Sequence, residues 1–331
     1  MKIRLFFLGV ALTPLVFVAP VSAEPSSRLA YAQQCAAEMG DIPQFNCLSG
    51  QIIPITKNGV PQTQPTGGEN CDNPVQLGLG GGAGQCVPFA RFMTISTGNA
   101  NVTTAIVCRK YEASGPQGAN DPMFRDIAVI QHNKATGNTC FFQSKLDGPL
   151  HNGTAVPSPQ SNSGAASDVW LEPESSGPGG IRCTRCHDAD PFIWSPYIVQ
   201  VADLSKWDPL GPWNSNFLDA FGTTVKTFKP NGNACTVCHR IGSEVCDDAG
   251  GGNVSVPEVA AKRWMPPGFS GTANQWTSDF GPAVAQIESC CANPNQAVCN
   301  TQDATGSNAP QEPPGDAAPF LESTLLPLRE P

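Results

Sequence analysis

The chain has 331 residues and a formal net charge of −9 at pH 7. Only 14% of its residues are charged, against roughly 25% in an average globular protein, and it contains 33 glycines and 32 prolines. The acidic balance argues against nucleic acid and anionic membrane surfaces as partners, because both repel negative charge. The glycine and proline content predicts many turns and irregular segments.

The first residues have the layout of a secretory signal peptide. Lys2 and Arg4 precede an apolar run that ends at the small residues Val21, Ser22 and Ala23. The run is shorter than the roughly 20 residues that a spanning helix needs, and proline interrupts it twice. We therefore expect cleavage after Ala23, export to the periplasm or outside the cell, and no stable membrane insertion.

Fourteen cysteines in an exported chain are typical of a disulfide framework. Six of them precede the two motifs described below and four follow them, so each group is able to close its own bonds, although the sequence leaves the connectivity open. Cys290 and Cys291 are expected to take different partners, because a bond between adjacent residues is strained. Sequence proximity favours the pairs Cys35–Cys47, Cys71–Cys86 and Cys108–Cys140.

The segments between Ala90 and Ser144 predict an antiparallel β domain. Four runs there are short, rich in β-branched and aromatic residues, and separated by turn residues: ARFMTIST, VTTAIVCRKYE, RDIAVIQHN and TCFFQS. The intervening KATGN is typical of a hairpin loop between the last two. In the second half, SPYIVQVADL, NSNFLDAF and VPEVAAKRW are candidates for short helices.

The predicted fold class is α+β and loop-rich, with a disulfide-braced antiparallel β domain at the N-terminus and a small, mainly helical or irregular domain after it. The linker between them is inferred from the Ser-, Pro- and Gly-rich composition of its sequence. The expected divisions are a signal peptide at 1–23, the β domain at 24–155, the linker at 156–180, the second domain at 181–300 and a poorly ordered tail at 301–331.

The second domain contains CTRCH at 183–187 and CTVCH at 235–239, and Cys-x-x-Cys-His is the attachment signature of c-type haem. Two thiols three positions apart on a turn of helix reach the two vinyl groups on one edge of the porphyrin. The histidine that follows is thereby placed under the iron as its proximal ligand. Covalent attachment suits an exported protein, because the cofactor cannot dissociate outside the cell. Here the chain resembles the c-type cytochromes that carry two haems.

This resemblance rests on two five-residue motifs and the exported context, and it does not extend over the whole chain. It implies two covalently bound haem c groups, so that 181–300 is a dihaem cytochrome c domain. The implied attachment residues are Cys183, Cys186, Cys235 and Cys238, and the implied proximal iron ligands are His187 and His239.

Other interpretations of the two motifs explain fewer of their features. Four thiolates would make a closed zinc site, but zinc does not account for a histidine at the same offset after both pairs. A thioredoxin-like redox pair belongs after a strand in a βαβ setting that this sequence lacks. All six tryptophans lie between Trp170 and Trp276, and large aromatic side chains are suited to walling a haem.

The ligand on the far side of each iron decides whether the haem is closed or open to substrates. Met265, in RWMPPG, resembles the distal methionine of single-haem c-type cytochromes, although it lies only 26 residues beyond His239. His132 and His151 are the two histidines outside the motifs and are weaker distal candidates. Two histidine ligands give a haem a low potential, whereas a methionine ligand raises it.

We expect the protein to carry single electrons between redox protein partners, without catalysing a reaction of its own. An acidic carrier suits a basic partner and a small, transient interface. One alternative is a dihaem enzyme resembling the bacterial dihaem peroxidases, with one open haem, although those enzymes space their motifs further apart. Another is a subunit of an extracellular assembly that stacks haems. The sequence leaves the oligomeric state open.

Overall fold

A computed structural model of the chain describes residues 27–63, 71–75, 86–110, 118–172, 183, 187, 190–193, 195–203, 226–237, 241–243 and 271–303. The signal peptide, most of the tail and the predicted helices in NSNFLDAF and VPEVAAKRW lie outside the described residues. So do four candidate site residues and ligands: Cys186, Cys238, His239 and Met265. Within the described residues, no helix has both the length and the apolar character to cross a membrane.

The described part of the chain is a mixed α and β structure. Its helices are α1 (Arg28–Met39), α2 (Gly164–Val169) and α3 (Ala273–Ala292). Its strands are β1 (Gln51–Ile52), β2 (Thr56–Lys57), β3 (Val60–Pro61), β4 (Arg91–Ile95), β5 (Val102–Arg109), β6 (Met123–Phe124), β7 (Asp126–Asn133), β8 (Thr139–Gln143), β9 (His151–Asn152), β10 (Lys226–Phe228), β11 (Ile241–Gly242) and β12 (Gln302–Asp303).

The main sheet has five strands in the order β1-β4-β5-β7-β8, and all of its neighbours are antiparallel. The four strands predicted between Ala90 and Ser144 are confirmed as β4, β5, β7 and β8. β7 and β8 form the expected hairpin, in which Ile130 lies opposite Phe141 and His132 lies opposite Thr139. The antiparallel β domain at the N-terminus was therefore correctly predicted.

Successive side chains of these strands point to opposite faces of the sheet, and both faces are covered. On one face, Ile106 and Val129 pack with residues of α1 and with Trp170. We call the other the motif face; it carries Phe92, Ala105 and, by strand register, Ile130 and Phe141. This second face is covered by residues that closely follow the first Cys-x-x-Cys-His sequence.

The helices α1 and α3 were not predicted. Ser27 caps α1 by accepting a hydrogen bond from the N–H of Ala30 at 3.2 Å. Thr272 and Gln275 form a capping box at the start of α3, which runs for 20 residues although it contains Pro282. In contrast, SPYIVQVADL was predicted as a helix, but 195–201 forms a series of turns.

The disulfides of the described residues test the predicted pairings. Cys71–Cys86 is confirmed. The other two pairs chosen by proximity are wrong, because the chain instead forms Cys35–Cys140 and Cys47–Cys108, which tie α1 and the turn at Cys47–Ser49 to strands of the sheet. Cys290 bonds to Cys299 and Cys291 is also disulfide-bonded, so the adjacent cysteines do take different partners. Bonds of this kind are typical of proteins in oxidising compartments.

The segment predicted as a linker at 156–180 is packed over its first part. Val156 pairs with Phe45 in an isolated bridge, and both residues are buried. Trp170 is fully buried between Phe45 and Phe142, and its indole N–H donates to the Pro157 carbonyl at 2.9 Å. The core of the β domain therefore extends at least to Trp170, and this tryptophan belongs to that core and not to a haem wall.

A second, smaller unit contains the second motif. β10 lies between β11 and β12 in a three-stranded antiparallel sheet. Phe228 packs on the Cys290–Cys299 disulfide, which joins α3 to the 3-10 turn at Ala297–Cys299. The described residues of this part of the chain thus form one long helix and short strands.

Candidate functional site

One backbone hydrogen bond joins the two described residues of the first motif, Cys183 and His187. The backbone N–H of His187 donates to the carbonyl oxygen of Cys183 at 2.8 Å, which is the hydrogen bond between residues four apart in an α-helix. Side chains at these two positions lie on the same side of such a turn. The backbone therefore presents the Cys183 sulfur and the His187 imidazole to one side.

The His187 imidazole packs against β8 on the motif face. Its ring centroid lies 5.0 Å from that of Phe141, and its Nδ1 is buried without a hydrogen-bond partner among the described residues. Burial lowers the pKa of His187 to about 4; the positive charge of Arg109 lowers it further, while the carbonyls of Pro191 and Asp190 oppose the shift. The ring is therefore neutral at pH 7, the form that binds metals.

Arg109 is held near this imidazole by a buried carboxylate. Its guanidinium lies 2.7 Å from Asp126, which is almost fully buried and also accepts a hydrogen bond from the Gln143 side chain at 3.1 Å. All three residues lie at one end of the motif face, on β5, β7 and β8. They fix a positive charge close to His187.

Tyr31 of α1 packs against the edge strand β8. Its hydroxyl accepts the N–H of Phe141 at 3.0 Å, and its ring packs on Phe142 at 5.4 Å between centroids. Burial raises the pKa of Tyr31, and the nearby Cys183 sulfur raises it as well. Tyr31 thus holds the strand whose Phe141 packs on His187.

The residues that follow the first motif continue this packing. Phe192, Tyr197 and Ile198 form one buried cluster with Phe92 and Ala105 of the sheet. The sequence predicts a separate domain from 181 onward, but Phe192, Tyr197 and Ile198 pack on the motif face. Burial of these large apolar side chains against the β domain explains the difference.

The second motif begins in a 3-10 turn at Cys235–Val237 that Asn233 caps. The Asn233 side-chain oxygen accepts the backbone N–H groups of Cys235 at 3.0 Å and Thr236 at 3.3 Å. Its amide nitrogen donates to the Ala283 carbonyl at 2.8 Å and to the Gln286 side chain at 2.9 Å, both on α3. One buried side chain thus joins the start of the motif to the long helix.

The two histidines outside the motifs are both buried but differ in setting. His132 lies on β7, with its Nδ1 2.8 Å from the Thr139 hydroxyl and its ring edge-on to Phe192 at 6.0 Å. His151 lies on β9 opposite Phe124, and its Nε2 is 2.7 Å from the Lys145 carbonyl. The structure therefore brings His132, and not His151, to the segment that follows His187.

The described residues fit a covalently attached haem at the first motif. The hydrogen bond from His187 to Cys183 places the two side chains on one side of a turn, and Nδ1 of the half-buried imidazole has no hydrogen-bond partner among the described residues. The sequence does not predict the contact of Phe141 with His187 or the charge of Arg109 in its surroundings, because both residues are far from the motif along the chain. Asn233 was also missed, although an asparagine two residues before the motif is a capping signal.

Comparisons of the chain with models of protein families, with curated proteins and with solved structures find no match.

Proposed function

We propose that this protein is an exported dihaem c-type cytochrome that carries single electrons between redox protein partners. The observation that supports the proposal is the backbone hydrogen bond from the His187 N–H to the Cys183 carbonyl, which sets a cysteine and a histidine of the haem-attachment pattern four residues apart on one side of a turn. The second motif repeats the same residue pattern, and Asn233 orders its first turn.

Each residue of the motifs has a definite role in this proposal. Cys183 and Cys186 would hold one haem through thioethers, and Cys235 and Cys238 would hold the other. His187 and His239 would bind the two irons as proximal ligands, and Met265 remains a candidate distal ligand. Each haem, when bound, supplies an iron that is oxidised or reduced by one electron.

The protein residues around His187 would control its environment. Phe141 covers one side of the imidazole and excludes water from it, and the sheet fixes its position. Arg109 places a positive charge near the ring, which favours the electron-rich, reduced form of a bound haem. The disulfides suit an oxidising compartment, and the net charge of −9 suits a basic partner.

A redox titration of the purified holoprotein, followed by absorption and electron paramagnetic resonance, tests the carrier function. We expect the uptake of two electrons per chain, low-spin signals from both haems, and no turnover of added hydrogen peroxide. A high-spin haem that consumes peroxide would contradict the carrier and support the peroxidase alternative. Peroxide consumption by an equal concentration of free haem serves as the control.

A further inference from the structure

We infer that Asn233 is a positioning residue for the attachment of haem at the second motif, and that the two ends of its side chain have separate roles. The side-chain oxygen holds the turn that carries Cys235 while the thioether forms. The amide nitrogen docks that turn on α3 once the protein folds. This inference rests on the proposed function, because it concerns the same haem.

The partners of Asn233 fix the orientation of its buried amide, which is 2% exposed. Backbone N–H groups only donate hydrogen bonds and a carbonyl oxygen only accepts them. The amide oxygen therefore faces the N–H groups of Cys235 at 3.0 Å and Thr236 at 3.3 Å, and the amide nitrogen faces the Ala283 carbonyl at 2.8 Å. Each end of the side chain thus serves a different part of the chain.

The bonds made by the oxygen are local. They satisfy N–H groups two and three positions further along the chain, where the first groups of a helical turn have no partner within it. The Thr236 hydroxyl adds a bond to the Asn233 carbonyl at 3.1 Å. Because none of these bonds needs a distant residue, the turn at Cys235–Val237 is able to form before the rest of the protein folds.

This turn leaves the attachment residue accessible. Asn233 and Thr236 are almost fully buried, whereas Cys235 between them is only half-buried. An ordered turn with a partly exposed cysteine suits a reaction in which the sulfur must meet a fixed position on another molecule.

Thioether formation is such a reaction. The Cys235 thiol adds across a vinyl double bond of the porphyrin, with its sulfur bonding to one carbon and its hydrogen to the other, so that nothing leaves and no electron acceptor is needed. Cys238 adds to the second vinyl group in the same way. A backbone that is already restricted at Cys235 reduces the conformational entropy that the reaction must otherwise remove.

The bonds made by the nitrogen depend on the tertiary fold. It donates to the Ala283 carbonyl at 2.8 Å and to the Gln286 side chain at 2.9 Å, which are 50 and 53 residues away along the chain. These bonds form only when α3 packs on the turn. They stabilise the folded protein but do not hold the turn in an unfolded chain.

The first motif provides an internal control. Ile181 stands two residues before Cys183, in the position that Asn233 has before Cys235. An isoleucine side chain has no hydrogen-bond acceptor, so it does not act as Asn233 does. We therefore expect changes at Asn233 to alter haem occupancy at 235–238 and not at 183–186.

The test measures the haem occupancy of each motif by peptide mass spectrometry, on the full chain produced with limiting haem. Asn233→Ala removes both ends of the side chain, and we expect the ratio of second-motif to first-motif occupancy to fall about five-fold, the effect of losing a typical cap. Asn233→Asp keeps the accepting oxygen but loses the donor, and Gln286→Ala removes only a contact with α3. Both variants should keep the wild-type ratio, although Asn233→Asp should unfold at a lower denaturant concentration.

Two results would overturn the inference. One is an unchanged occupancy ratio in Asn233→Ala. The other is a ratio in Asn233→Asp or Gln286→Ala as low as in Asn233→Ala, because overall stability and not the local cap would then decide attachment. If Asn233→Ala does not accumulate, the ratio is measured on newly exported chains captured after a short labelling pulse, and the same results apply.

The wild-type haem count separates this inference from the proposed function. A wild-type chain without covalent haem ends both. Two covalent haems in the wild type, with an unchanged ratio in Asn233→Ala, leave the cytochrome proposal intact and end only the role assigned to Asn233.

Discussion

At the scale of single residues, Asn233 connects the start of the second motif to α3. Asn233→Ala removes the cap and leaves the Ala283 carbonyl with one fewer donor, so we expect the free energy of unfolding to fall by about 2–4 kcal/mol. Chemical denaturation monitored by circular dichroism measures the change. Asn233→Ser is the control. The serine side chain keeps a capping oxygen but does not reach α3, so we expect a smaller loss of unfolding free energy than in Asn233→Ala. Equal stabilities of all three proteins would contradict the role of Asn233.

A second residue-scale prediction concerns the buried Asp126. Arg109→Met leaves this carboxylate without its cation in a site that is 1% exposed, which is expected to cost about 3–5 kcal/mol. Adding Asp126→Asn removes the uncompensated charge and should restore part of the loss. Urea unfolding of the single and double variants makes the comparison. A double variant less stable than Arg109→Met would show that the ion pair is not the cause.

At this scale, the sequence predicted those site residues that lie together in one short motif. Cys183 and His187 belong to one short motif, so their pattern could be read without the fold. Phe141 packs on His187 because β8 lies at the edge of the sheet beside β7, and nothing near Phe141 in the sequence indicates that contact. His132 could be named as a candidate ligand, but its contacts with Thr139 and Phe192 depend on the fold.

At the scale of elements, the segment before the first motif completes the β domain. Trp170→Ala removes a fully buried indole and its hydrogen bond to Pro157, so we expect a loss of about 3–5 kcal/mol. Trp170→Phe retains most of the packing and should cost less. Thermal unfolding of the two variants measures both losses. If 156–172 were a linker, as its composition indicates, neither substitution would change the unfolding temperature.

Four strands of the main sheet were predictable as elements, whereas the three described helices were not. β5 and β7 are rich in β-branched residues, which is a local pattern typical of strands. α1 has Ser27 as a cap but few large apolar residues, so its helical period is weak. α3 contains Gly281 and Pro282, which argue against a helix of 20 residues; tertiary contacts with Asn233 and the Cys290–Cys299 disulfide support it.

At the scale of the whole molecule, disulfides between distant residues hold the β domain together. Cys35–Cys140 closes a segment of 105 residues and Cys71–Cys86 one of 15. In the chain-entropy account, removing the first pair by alanine substitution should cost about 5 kcal/mol and removing the second about 3 kcal/mol. Urea unfolding of the two double variants measures the difference. Equal losses of stability would contradict the account in which each disulfide acts by restricting the unfolded chain.

The central claim, that two haems are covalently attached at 183–187 and 235–239, is tested most directly by counting haems. Intact-mass spectrometry and a pyridine haemochrome assay, on protein produced in a bacterium that attaches haem to exported proteins, give the count. The account predicts two haems per chain, and one haem in each of the variants Cys183→Ala/Cys186→Ala and Cys235→Ala/Cys238→Ala. A wild-type mass equal to that of the polypeptide alone, with no haemochrome spectrum, would contradict it.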